Sequence, residues 1–161
     1  MSEIKYGFLP VYDNNSKVLI LGSFPSVKSR KIEFYYGNPQ NRFWRTLCSY
    51  FKEEVPTSTE GKREFILRHN VALWDIVTEC EIVGSQDATI KNFTVADIKT
   101  LLQNSNISYI ILNGSKAYEI FLKHYADIKV PYVKLSSTSP ANTHFTTKEW
   151  HDALSRAFNQ A

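Results

Sequence analysis

Residues 16–26 read Ser16-Lys17-Val18-Leu19-Ile20-Leu21-Gly22-Ser23-Phe24-Pro25-Ser26. Residues 18–21 are four aliphatic residues in a row, two of them β-branched, with polar residues before and glycine after. That pattern suits a short strand buried on both faces. Residues 71–74, 109–112 and 132–135 repeat it. Helical spacing fills the gaps between these runs. Residues 42–51 put Phe43, Leu47 and Tyr50 on one face, and residues 62–69 follow a capping box of Thr57 with Glu60. Residues 95–102 and 117–124 carry the same period, and residues 147–158 follow a second box, Thr146 with Glu149. Strands that alternate with helices pair in parallel through right-handed crossovers. The expected fold is therefore α/β: a three-layer α/β/α sandwich around a mainly parallel four-stranded sheet. No linker, repeat or low-complexity tract divides the chain, so residues 1–161 read as a single domain.

Open parallel sheets bind ligands at the carboxyl ends of their strands. Here those loops begin Gly22-Ser23-Phe24-Pro25, Asp75-Ile76-Val77, Asn113-Gly114-Ser115 and Ser136-Ser137-Thr138-Ser139-Pro140-Ala141-Asn142. A further stretch, Tyr36-Gly37-Asn38-Pro39-Gln40-Asn41-Arg42-Phe43-Trp44, is dense in aromatic and polar groups. The whole chain carries +3, yet residues 28–45 hold five cations (Lys28, Arg30, Lys31, Arg42 and Arg45) against Glu33 alone. That local +4 leaves −1 for everything else, the footprint expected of a site for an anionic polymer such as nucleic acid. Cys48 and Cys80 are isolated and have no zinc-type spacing, which argues against a disulfide framework or a metal and for a reducing cytoplasm. No run of about 18 apolar residues occurs, and residues 1–12 lack an apolar signal core. We expect a monomer with no membrane anchor, no metal and no organic cofactor.

With these loops in view, the chain resembles the uracil-DNA glycosylase superfamily, most closely its hypoxanthine-DNA glycosylase branch. GSFPS at residues 22–26 resembles that branch's form of the first motif, and SSTSPAN at residues 136–142 resembles the serine-and-proline second motif. NPQNRFWR at residues 38–45 is similar to the HPANRFWK string of the mismatch-specific uracil glycosylases. VALWD at residues 71–75 falls where the superfamily has the strand that ends in its base-reading residue. The match spans residues 17–158. Three positions depart from the wider pattern. Phe24 stands where many members place a water-positioning Asp or Asn, Ser137 where some carry His, and Asn38 where the branch commonly has His. The branch that lacks the first two groups implies an Asn of the NRFW string as catalytic, which is Asn41 here.

Breaking an N-glycosidic bond places positive charge on the sugar and negative charge on the leaving base. Extruding the nucleotide, positioning a water and hydrogen-bonding the base all assist, and no strong nucleophile is needed. The expected activity is a monofunctional glycosylase acting on DNA with a damaged base, most simply hypoxanthine. Uracil or a mismatched pyrimidine is the alternative substrate, and a noncatalytic nucleic-acid module on the same scaffold is the rival from another class. Asn41 either orients the water or caps the following helix. Gly22, Ser23 and Phe24 form a pocket wall, although Phe24 suits plain core filling equally well. Tyr36 is the candidate stacking floor for a base. Asp75 either hydrogen-bonds the base edge or forms a turn. Lys28, Arg30 and Arg42, with Ser137, Thr138, Ser139, Pro140 and Asn142, are the candidate DNA contacts.

Overall fold

Strand pairing in the computed structural model, which describes residues 3–159, gives two sheets rather than one. In chain order the elements are β1 (Glu3–Tyr6), β2 (Val18–Gly22), α1 (Val27–Ile32), α2 (Phe43–Tyr50), α3 (Thr59–Arg68), β3 (Val71–Asp75), β4 (Val77–Ile82) and β5 (Lys91–Val95). They continue with α4 (Ile98–Gln103), β6 (Tyr109–Asn113), α5 (Ser115–Tyr125), β7 (Tyr132–Leu135) and α6 (Thr147–Phe158). The four expected strands are β2, β3, β6 and β7, and they form a wholly parallel sheet in the order β3-β2-β6-β7.

Both faces of that sheet are covered, as its uninterrupted aliphatic strands require. On one face Val18, Ile20, Val71, Leu73 and Ile111 pack against Phe43 and Leu47 of α2, Phe65 and Ile66 of α3, and Trp150 and Leu154 of α6. On the other, Leu19, Leu21, Ala72, Ile110 and Leu112 meet Ile98 and Leu101 of α4 and Ile120 and Phe121 of α5. Each such aliphatic side chain contributes about 1.5–3 kcal/mol on leaving water. The three layers follow directly from these two cores.

The second sheet, antiparallel in the order β1-β4-β5, is absent from the sequence expectation. Only Ile76 separates β3 from β4, so the chain passes from one sheet to the other without a loop. Two register shifts in the β4–β5 pairing break the alternation that would mark β4 as a strand. Residues 91–95 are mostly exposed and give no apolar signal. Because they form β5, the helix expected from residue 95 begins at Ile98 instead, capped by Asp97, which accepts the Thr100 N–H at 3.1 Å. The cap of α3 also differs from expectation: Ser58, not Thr57, accepts the Gly61 N–H at 2.9 Å. Among the described residues no helix is long and apolar enough to cross a membrane.

At α6 the expected Thr146 cap is present, its hydroxyl accepting the Glu149 N–H at 3.3 Å. Glu149 does not reach back to Thr146 to close the box. Its carboxylate accepts the Ser136 N–H at 2.7 Å, and the Trp150 indole donates to the Ser136 carbonyl at 2.9 Å. Helix α6 thus grips the residue at which β7 opens into its loop. Glu149→Ala leaves a half-buried N–H without that partner, a loss of roughly 1–3 kcal/mol that should lower the melting temperature by about 3–10 °C. Glu149→Gln keeps an acceptor there, and thermal denaturation should show most of the stability retained.

Candidate active site

Strands β2 and β3 end side by side, with Gly22 paired in register to Asp75. A Cβ at residue 22 would stand 2.5 Å from Asp75 Oδ1 and 3.1 Å from the Tyr36 hydroxyl, so only glycine admits both groups to this strand end. Asp75 is 5% exposed, and its Oδ2 has no hydrogen-bond partner. Burial first, and the charge of Asp87 second, push its carboxyl up to about 7. Tyr36 reaches the same place from the aromatic loop. Its backbone is left-handed at φ 53°, and its ring stacks on Phe43 with centroids 4.0 Å apart.

The Tyr36 hydroxyl is buried and has no hydrogen-bond partner. Burial, and then the nearby Asp75 charge, raise the phenol well above its ordinary value, so it stays protonated. Asn113 lies close by and partly offsets that rise, while its side chain donates to the Thr138 hydroxyl and accepts the Thr138 N–H, each at 3.0 Å. Among the described residues, Tyr36 Oη and Asp75 Oδ2 are the buried side-chain polar atoms left unpaired. Native proteins leave few such atoms, and each calls for an explanation.

The loops around this point are tied to one another. Asn41 Oδ1 accepts the Phe43 N–H at 2.9 Å, so this side chain does support the start of α2. The Arg42 N–H donates to the Thr138 carbonyl at 3.0 Å. The Arg42 guanidinium donates to the carbonyls of Ser139 (2.7 Å) and Asn142 (2.6 Å) and lies over the Phe145 ring. Asn142 in turn donates to the Ser137 carbonyl at 2.9 Å, and the Ser137 hydroxyl accepts the Ser139 N–H at 3.1 Å. Several residues expected to touch DNA are therefore spent holding the loop. Thr138 is the clearest correction: it is 1% exposed, with its hydroxyl, N–H and carbonyl all used internally. The exposed tip of this loop is Pro140 with Ala141.

The first loop is braced from the second sheet, which sequence reasoning missed. The turn after β4 supplies Asp87, which accepts from the Ser23 hydroxyl at 2.9 Å, and Ser85, whose hydroxyl accepts the Val27 N–H at 2.8 Å. Arg30, expected to meet phosphate, donates to the Pro25 carbonyl at 3.2 Å and the Gly84 carbonyl at 2.6 Å. It also lies over Phe24, which is 8% exposed and part of the core beside Gly7. Core filling is thus what Phe24 does. Lys28 is exposed on α1. Buried Ser29 joins α1 to the aromatic loop by accepting the Gly37 N–H at 2.9 Å. A separate surface concavity, lined by Tyr12, Asp13, Asn14 and residues 103–106, lies at the opposite, amino-terminal end of the strands.

Residues 9–159 match the model of the uracil DNA glycosylase superfamily. A hypoxanthine DNA glycosylase of Methanosarcina acetivorans is 37% identical over 155 residues, covering 91% of this chain and 96% of that protein. A hypoxanthine DNA glycosylase of Methanosarcina barkeri is 34% identical over 117 residues, covering 71% of this chain and 74% of that one. A protein of Methanosarcina acetivorans solved by solution NMR, and put forward as a uracil DNA glycosylase, superposes with a TM-score of 0.85 at 31% identity. The superposition covers 98% of this chain and all of the other.

The buried Asp75 carboxyl carries a stability signature whose sign is fixed. Its value rises from 3.8 to about 7 on folding, so the folded state favours the protonated form. The cost of the charge is absent below pH 3.8, grows between 3.8 and 7, and is complete above 7. Asp75→Asn removes that cost. Urea unfolding should show the variant more stable than wild type at pH 8, by up to about 4 kcal/mol, with the gain shrinking towards pH 4.

Proposed function

The chain belongs to the uracil DNA glycosylase superfamily, and on that premise we propose a monofunctional DNA glycosylase that removes hypoxanthine, a deaminated purine, and leaves an abasic site. The buried, unpaired Asp75 carboxyl carries the substrate assignment. Hypoxanthine presents N1–H beside O6. A carboxyl that still holds its proton near neutral pH accepts from N1–H through one oxygen and donates to O6 through the other. Once ionised, the same carboxyl only accepts, so it still takes N1–H from hypoxanthine but opposes the lone pair on adenine N1. Two close relatives that carry the name hypoxanthine DNA glycosylase support the same base.

The reaction needs the nucleotide extruded, because neither the anomeric carbon nor the base edge is reachable within the stack. Water then adds to C1′ as the C1′–N9 bond breaks, and the bonding pair leaves with the base. The water oxygen remains on the sugar as a hydroxyl and one proton ends on the base. Asn41 is the group assigned to hold that water. Its Oδ1 is fixed by the Phe43 N–H at 2.9 Å and keeps a second lone pair for a water proton. Lys28 is exposed on α1, and the mechanism uses no amine nucleophile. Exposed cations such as Lys28 and Lys31 neutralise backbone phosphates, with Ser137, Ser139 and Pro140 meeting the strand from the second loop.

Labelled duplexes containing deoxyinosine, deoxyuridine or a G·T pair, incubated with the protein and cleaved with alkali, test this directly. Scission at deoxyinosine is expected; scission confined to deoxyuridine moves the substrate to uracil, and binding without scission overturns the enzyme assignment. Asn41→Asp keeps the acceptor for Phe43, whereas Asn41→Ala loses it and about 0.5–2 kcal/mol of stability. Asn41→Ala should lower single-turnover release of hypoxanthine by roughly 100-fold or more, whereas Asn41→Asp, which keeps an acceptor for the water proton, should retain most of the rate. Release by wild type should fall as pH rises past about 7, when Asp75 gives up its proton.

A further inference from the structure

We propose that the Tyr36 hydroxyl meets the extruded base, donating a hydrogen bond to the 6-oxo oxygen and stabilising the negative charge that the base gathers as its glycosidic bond breaks. The inference rests on the glycosylase reading above and adds to it a second leaving-group contact, opposite Asp75.

Four observations converge on this hydroxyl. The Tyr36 ring is fixed by its stack on Phe43, which itself packs edge-on against Trp44 and Trp150. One face of the ring is therefore already used in packing. The hydroxyl at its end lies in a buried place with no partner. Buried tyrosines usually find one, and an unpaired hydroxyl costs about 1–3 kcal/mol. The backbone at Tyr36 is left-handed at φ 53°, a conformation costly for a bulky residue and typical of positions held for function. Lastly, the hydroxyl and Asp75 Oδ1 lie within 3.1 Å of a single point, the space that a side chain at Gly22 would fill. A loop that twists its backbone to aim an unpaired hydroxyl at the strand end carrying Asp75 marks that strand end as the place where an extruded base is met.

The chemistry suits the donor. As C1′–N9 breaks, the electron pair entering the purine delocalises onto O6, which becomes a stronger acceptor in the transition state than in the ground state. A phenol that remains protonated at working pH hydrogen-bonds that oxygen without giving up its proton, so the balance of the hydrolysis is unchanged. Because the interaction strengthens as charge develops, it acts on kcat more than on KM.

Tyr36→Phe removes the hydroxyl and keeps the stack on Phe43. With a deoxyinosine duplex, kcat should fall about 10- to 100-fold with KM little changed. The melting temperature should be unchanged or higher, since an unpaired buried polar atom is gone. Inhibition by the free bases supplies a second readout: hypoxanthine should inhibit wild type better than purine, which lacks the 6-oxo group, and the variant should show a smaller preference, the part that Asp75 supplies. An unchanged kcat would overturn the proposal. So would a loss of kcat accompanied by a lower melting temperature and equal weakening towards both bases, which marks a packing role. A wild-type protein that releases nothing from deoxyinosine sinks the glycosylase reading and this inference together, whereas an active wild type beside an unaffected variant sinks the inference alone.

Discussion

The missing side chain at Gly22 is the constraint on which the site depends. Parallel strands β2 and β3 bring residues 22 and 75 into register, and Asp75 and Tyr36 close over Gly22 where any other residue would carry a side chain. Any other residue at position 22 would stand 2.5 Å from the carboxyl oxygen and force one strand end to move. That carboxyl is held by the backbone of a largely buried strand rather than by a loop, which fixes its position more tightly than a loop could. The two unpaired groups cost a few kcal/mol out of a net stability of about 5–15 kcal/mol. A domain this size sustains that cost because the cores on both faces of the sheet are extensive.

Around the unpaired pair, nearly every other polar group is satisfied. Arg42 fastens the aromatic loop to the loop after β7, and Asn113 and Thr138 fasten that loop to the end of β6. Asp87, Ser85 and Arg30 fasten the loop after β2 to the second sheet. Groups that looked like a DNA-contact inventory are instead the framework that presents one. The division has a physical basis. A guanidinium bound to two carbonyls cannot also track a flexible phosphate backbone, but it can hold a rigid tip such as Pro140 at a fixed height above the sheet. Backbone-held loops of this kind bind with less ordering cost than mobile ones.

The parallel sheet was legible because strands buried on both faces leave an unbroken aliphatic run, and Val18–Gly22 and Tyr109–Asn113 are such runs. Asp75 was legible because a carboxylate that closes an apolar strand is conspicuous. The antiparallel sheet was not: Ile4 and Tyr6 are exposed, β4 is bulged, and β5 faces mostly solvent, so periodicity carries no signal there. Its contribution to the site, through Asp87 and Ser85, was hidden with it. The fates of Arg42 and Thr138 were also out of reach. They depend on contacts across 97 and 25 residues, and residue type alone does not say whether a polar side chain faces solvent or a carbonyl.

The same accounting explains how such a site works without a strong base or nucleophile. Hydrolysis of an N-glycosidic bond is limited by charge separation, so the protein gains most by stabilising the leaving base. Donors that are pre-placed and desolvated do this without reorganising at the moment of reaction. The Tyr36 hydroxyl and Asp75 Oδ2 are both buried and unpaired, which is the ground on which contacts to the base are proposed for them. Asn113 donates one amide N–H to the Thr138 hydroxyl and accepts the Thr138 N–H, and its amide also acts on the Tyr36 hydroxyl. The network that holds the second loop thus runs through Asn113 to the Tyr36 hydroxyl, which ties the architecture of the rim to the strand end beneath it.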